Sequence, residues 1–244
     1  MALDFPSSPT NGQIYSNYYY DSTTGAWRAN APLAVGVPLG GAANYVLTKT
    51  TATDYDTSWR PGPGLVPVVP TSVVVAAGSA SVSAQGLVTF TSATNVNLNG
   101  VFTSSFQNYK ILFEIETSAI PGSTFRLRAS GTDAAGTTDY AWYGYRAISW
   151  AGAAGLNGTN GGNAWGIWDT NTGAHVHSMI MDIMRPAEAK LTKMISTGYA
   201  FTAAGSIGAS YYSGHHKLST AYDGISFINT AAFTGTMQVL GYAD

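Results

Sequence analysis

Hydrophobic positions in the second half of the chain recur with a period of two. In KILFEIE, residues 110–116, Ile111, Phe113 and Ile115 face one way while Lys110, Glu114 and Glu116 face the other, which is the pattern of a half-buried strand. FRLRA at 125–129 repeats it. Further strands are expected at 73–75, 87–90, 140–148, 175–184, 189–195, 224–228 and 236–242, joined by short connections containing Gly or Pro. About eight strands over roughly 155 residues predict an antiparallel two-sheet sandwich.

The first thirty residues are patterned differently. Tyr15, Tyr18, Tyr19, Tyr20 and Trp27 crowd into QIYSNYYYDSTTGAW. Residues 13–15, 18–20 and 26–28 read as three short strands, separated by the turn formers Ser16-Asn17 and Ser22 to Gly25. A meander of this size is marginal alone, so its aromatics need cover from outside the segment. Residues 31–60 hold one strand candidate, 44–49, and end in Trp59-Arg60, an echo of Trp27-Arg28. Residues 61–109 carry no charge, and PGPGLVPVVP at 61–70 reads as a stiff linker because proline removes ladder donors. The expected organisation is therefore an N-terminal module at 1–30, a linker at 31–86 and a C-terminal domain at 87–244.

Composition agrees with an all-β chain. Aromatics reach 12% and charged residues only 10%, with 28 glycines, and Thr, Ser, Tyr and Val are common. A net charge of -2 built from few charges offers no basic stripe for phosphates, so nucleic acid is not an expected partner. Absence of cysteine rules out disulfides, thiolate catalysis and cysteine-ligated zinc, and suits folding in a reducing cytoplasm. No apolar run of about 18 residues and no leader pattern is present, so neither membrane insertion nor export is expected.

Two stretches carry a resemblance. FPSSPTNGQIY followed by YYYDSTTGAW resembles the short N-terminal module of tailed-bacteriophage virion proteins. PLGGAANYVLTKTTATDYDTSWRP resembles a phage-fibre linker, usually Gly-x-Val-Leu-x-Lys then Asp-Tyr-Asp-x-x-Trp. Val46, Leu47, Lys49, Asp54, Tyr55, Asp56 and Trp59 match, and Asn44-Tyr45 replaces the usual Gly-Gln. SSFQNYKILFEI, a Tyr-rich strand, a late Ile-x-Phe strand and GTMQVLGY resemble the jelly-roll domains that end such fibres. The resemblance implies a homotrimer, located in the virion after assembly in the host cytoplasm. In it, Tyr15, Tyr18, Tyr19, Tyr20, Trp27 and Trp59 would contact other chains or virion proteins of the tail, baseplate, collar or capsid. It implies a tail or baseplate fibre, with a capsid head fibre or decoration protein as the alternative and a polysaccharide-degrading tail spike behind both.

Candidate chemistry is sparse, and no enzyme is expected. Glu114 and Glu116 share a strand face, as a glycosidase pair would, but Arg126 and Arg128 alternate alike, so a cross-strand ion ladder accounts for all four. His175 and His177 form His-x-His on one strand face. From three chains they would make an axial metal site, and otherwise they are ordinary strand residues. His215 and His216 fit a polar loop after SYYSG. No cofactor is expected, since GLNGTNGG at 155–162 lacks the Lys-Ser/Thr and the helix of a phosphate loop. Residues 149–168 read as a long connection of Gly, Asn and Thr. Trp150, Trp165 and Trp168 with Asn157, Asn160 and Asn163 are its candidates for stacking on, and hydrogen bonding to, a host cell-surface glycan.

Overall fold

The computed structural model describes residues 5–15, 18–29, 45–52, 56–62, 64–119, 123–148, 153–166, 172–202 and 207–243. They form two compact units, 1–62 and 63–244, and no helix occurs among the described residues.

In the first unit, β1 (Ile14–Tyr15), β2 (Tyr18–Asp21) and β3 (Ala26–Ala29) make the expected meander. Its second turn is held by Asp21, whose Oδ1 accepts the Thr23 amide at 2.9 Å, and by Gly25 with φ 63°. Bonding from Thr24, then the Thr23 amide and the Arg28 guanidinium, holds the Asp21 carboxyl below its ordinary range despite an opposing effect of burial. A separate hairpin joins β4 (Tyr45–Lys49) to β5 (Thr57–Pro61).

The second unit contains β6 (Gly64–Val68), β7 (Ser72–Ala76), β8 (Ser79–Val82), β9 (Val88–Asn99), β10 (Asn108–Ala119), β11 (Thr124–Ala129) and β12 (Thr132–Asp133). There follow β13 (Tyr140–Ile148), β14 (Ala153–Gly162), β15 (Trp165–Gly166), β16 (Thr172–Met184), β17 (Lys193–Thr202), β18 (Ile207–His216) and β19 (Gly224–Ala243). All fourteen share one antiparallel network, whose main path runs β12-β11-β19-β10-β16-β17-β18-β13-β14.

Strand β19 turns this network into the expected sandwich. Residues 224–228 pair with β11 and with the end of β9, whereas residues 233–241 pair with β10. Six residues of straight strand span about 20 Å, yet the rings of Phe227 and Phe233 lie 4.8 Å apart. The strand therefore folds sharply at 229–232, and β9 bends with it at Ser92, whose φ is 52°. Phe90, Phe113, Phe125, Phe227 and Phe233 pack into the fold of that bend, with Phe113 and Phe227 at 4.4 Å. At the other end of the path, Trp165 pairs with Phe125 and sits edge-on to Tyr140 at 5.3 Å, so the sheet curls until its two ends meet around one core.

Several expectations need correction. Residues 61–70 are not simply a linker: β6 pairs with β19, and the second unit begins at Pro63. Pro67 is tolerated there because β6 has β19 as its one ladder neighbour and lies on an edge. The linker expected at 31–86 thus divides into residues 31–44, outside the described residues, the β4–β5 hairpin, and strands of the head. Residues 153–162 are a strand, not an irregular loop, because β13 supplies a full antiparallel template along them. The strand expected at 189–195 begins instead at Lys193, and β18 runs through His215 and His216 where a polar loop after SYYSG was expected.

Candidate attachment module and exposed head face

The aromatic knot at the N-terminus packs against itself, around a residue the strand pattern did not single out. Phe5 stacks on Trp27 at 5.1 Å and 20° and meets Tyr18 edge-on at 5.2 Å, while Tyr15 and Tyr20 approach Trp27 at 6.2 and 5.5 Å. The β2–β3 register sets Tyr20 directly opposite Trp27, and this brings most of the rings to one face. Burial is incomplete. Tyr15 and Tyr19 are exposed, Tyr18, Tyr20 and Trp27 half-buried, and no described residue of this unit is enclosed.

The hairpin β4–β5 gives the linker motif a physical basis. Trp59 lies opposite Leu47, and the connecting turn is tied by the Thr51 hydroxyl donating to Asp56 at 2.5 Å and the Thr50 amide donating to the Asp56 carbonyl at 2.7 Å. Asp54 and Tyr55 lie outside the described residues.

In the head, register separates two ends. Gly64 pairs with Ala243, Tyr109 with Gly241, Met184 with Lys193 and Tyr140 with His216, so these positions mark the end at which the chain arrives from the first unit. Charge gathers there. Lys110 meets Asp182 at 2.7 Å, and Lys190 meets Glu188 at 2.9 Å. Burial alone would lower the Lys110 ammonium, but its bonds to Asp182 and Tyr242 outweigh it and raise the pKa. Ala119, Ile148, Ala153, Thr172, Thr202 and Ile207 mark the opposite end. In sequence, Trp150 falls between Ile148 and Ala153, and Trp168 between Gly166 and Thr172; both lie outside the described residues.

The glycan candidates are not brought together. Trp165 is fully enclosed and cannot stack on a sugar, because β15 carries it over the core onto Tyr140. Asn157 and Asn160 fall on opposite faces of β14, half-buried and exposed, and Asn163 lies exposed beyond its end. The Asn160 and Asn163 carbonyls accept from Lys217 at 2.6 Å and Arg126 at 3.0 Å.

No ion ladder joins Glu114 and Glu116 to Arg126 and Arg128, because β19 runs between β10 and β11. Arg128 is buried against Asp133, the Gly131 carbonyl, Asn99 at 2.9 Å and Ser226 at 2.7 Å. Both glutamates face outward, and Ser178 donates to Glu114 over 3.5 Å. His177 turns into the head and is buried, so its imidazole does not reach the outer surface; the side chain of His175 lies outside the described residues. No cluster of three potential metal ligands occurs among the described residues. His216 is enclosed by Tyr140 and Tyr222, whose hydroxyl lies 2.9 Å from Nδ1.

The outer face of β10, β16, β17, β18, β13 and β14 is the surface that sequence reasoning missed. Its strands leave Tyr143, Tyr145, Tyr199, Phe201 and Tyr211 exposed by 42 to 59%. The alternation is readable in YGY and YAF, but a period of two does not say which face is outside.

The chain matches no protein-family model, no curated protein and no solved structure.

Proposed function

We propose that the protein is a non-enzymatic structural component of a bacteriophage virion, a homotrimeric tail or baseplate fibre. Its N-terminal module docks on other virion proteins and its head contacts a host cell-surface glycan. One observation carries this reading. A small β-module holds an aromatic cluster with no enclosed residue, in the stretch that resembles virion attachment modules. Apolar rings left half-exposed in so small a unit gain burial only from another surface.

The head supports the second half of the reading. The chain enters the head at one end of its sheet, through Gly64. The connection that carries Trp150 in sequence starts and finishes at the opposite end of the sheet, and the one that carries Trp168 finishes there. With Trp165 internal, these two tryptophans are the rings assigned to the glycan.

Removal of residues 1–60 tests the docking role. The head is expected to remain folded by circular dichroism and to be lost from assembled particles. Incorporation of the truncated chain at the normal level would place attachment elsewhere.

A further inference from the structure

The register of the head aligns Leu112, Ile180, Thr197, Tyr211, Tyr145 and Leu156 in one rank across six strands. All six are exposed, Leu156 by 85%. The next ranks continue the surface through Tyr199 beside Ala209 and through Phe201 beside Ile207, and Tyr143 extends it on the other side. No outward position of β17 after Lys193, of β18 as far as Ser213, or of β13 at 143, 145 and 147 is charged. Charges stand only at the margins, with Glu114 and Glu116 on β10 and Lys110, Asp182 and Lys193 at the end where the chain arrives.

We propose that this face is the contact between copies of the head in the assembled fibre. The inference rests on the trimeric reading and assigns its interface. Contiguous apolar surface of this extent is rarely left to water and marks a binding surface. Nine large apolar side chains at these exposures present on the order of 1,000 Å², which matches the roughly 800 Å² that each partner contributes to a standard interface. Tyrosine and phenylalanine with few charges is the composition of an interface core. Neutrality selects the occupant: away from Glu114 and Glu116 the face offers a charged partner no complementary field, whereas copies turned inward about a three-fold axis, each setting one half of the face against the other half of its neighbour's, bring no like-charge repulsion to its uncharged centre.

The natural chain has no cysteine, so one introduced thiol reports on one place. Ala209→Cys sets it in the middle of the face, and Ser105→Cys sets a control on an exposed loop. In the full-length assembled protein, maleimide is expected to label Ala209→Cys at least about tenfold more slowly than Ser105→Cys. In sedimentation velocity, Tyr145→Asp with Tyr211→Asp is expected to reduce an assembly of three 25.5 kDa chains to monomers that keep their strand signal. Equal labelling rates within an intact trimer would overturn the assigned face and leave the trimeric reading standing. A wild-type chain that sediments as a monomer would overturn both. Should the double variant misfold, the labelling rates alone decide.

Discussion

Trp165 and His216 both pack edge-on with Tyr140, with centroids 5.3 and 4.5 Å from its ring, and both are fully enclosed. Flanked by Gly, Asn and Thr, Trp165 looked in sequence like a loop aromatic open to a ligand. Its burial comes from pairing with Phe125, some forty residues away, a contact that no local pattern encodes. Trp165→Ala is accordingly expected to cost about 3–5 kcal/mol and to lower the thermal midpoint of the head by about 10 °C or more. Adsorption to host cells should fall only as far as the folded fraction does. Trp150→Ala with Trp168→Ala should do the reverse, weakening adsorption by at least about tenfold, or roughly 1.4 kcal/mol, with the midpoint unchanged.

His216 adds a pH dependence. Burial pushes its pKa below the ordinary 6.5, with a smaller push from His215, against a weaker upward pull that includes the Asp139 carboxylate. The unfolded imidazole takes up its proton near 6.5 and the folded one only at lower pH, so between the two the unfolded state binds more protons. Stability from this site is complete above 6.5 and is lost as pH falls below it. Thermal melts at about pH 7.5 and about pH 5.5 should show a drop that His216→Asn reduces. An identical drop in the variant would assign the effect to other groups.

At the scale of elements, strands with strict alternation were legible: residues 140–148 and the core of β10 form as their patterns predict. Strands imposed by a neighbour were not. β14 is rich in Gly and Asn and forms because β13 pairs along it, and β6 forms despite Pro67 because it needs ladder bonds on one side only. The bend of β19 was half legible. Its two arms, 224–228 and 236–242, were expected as separate strands, but nothing local announces that one strand passes through both layers. Gly235 allows the crossing, since a Cβ there would lie 2.1 Å from the Glu114 carbonyl and 2.8 Å from the Ile115 Cα. Both are backbone atoms in the middle of a sheet, so the contact cannot relax cheaply. Gly235→Val is expected to destabilise the head by about 2 kcal/mol or more, read as a shift in urea midpoint at unchanged slope.

Over the whole molecule, the all-β class, the separate N-terminal meander and the sandwich head follow from periodicity and composition. The surfaces proposed to work between molecules were less legible. A period of two says which residues share a face, but not which face is outside. Tyr199 and Tyr211 became outward residues only once register placed Met194 and Tyr212 in the core. Even so, one principle links the two units: each holds aromatic surface that its own fold leaves uncovered, and the proposed closed association would supply the cover. Location on the particle tests the virion reading most directly. Electron microscopy of purified virions, with gold-labelled antibody raised against the head, is expected to place three closely spaced labels or fewer on each fibre at the tail or baseplate. Particles that carry no label, while the same antibody detects free protein in the lysate, would contradict it.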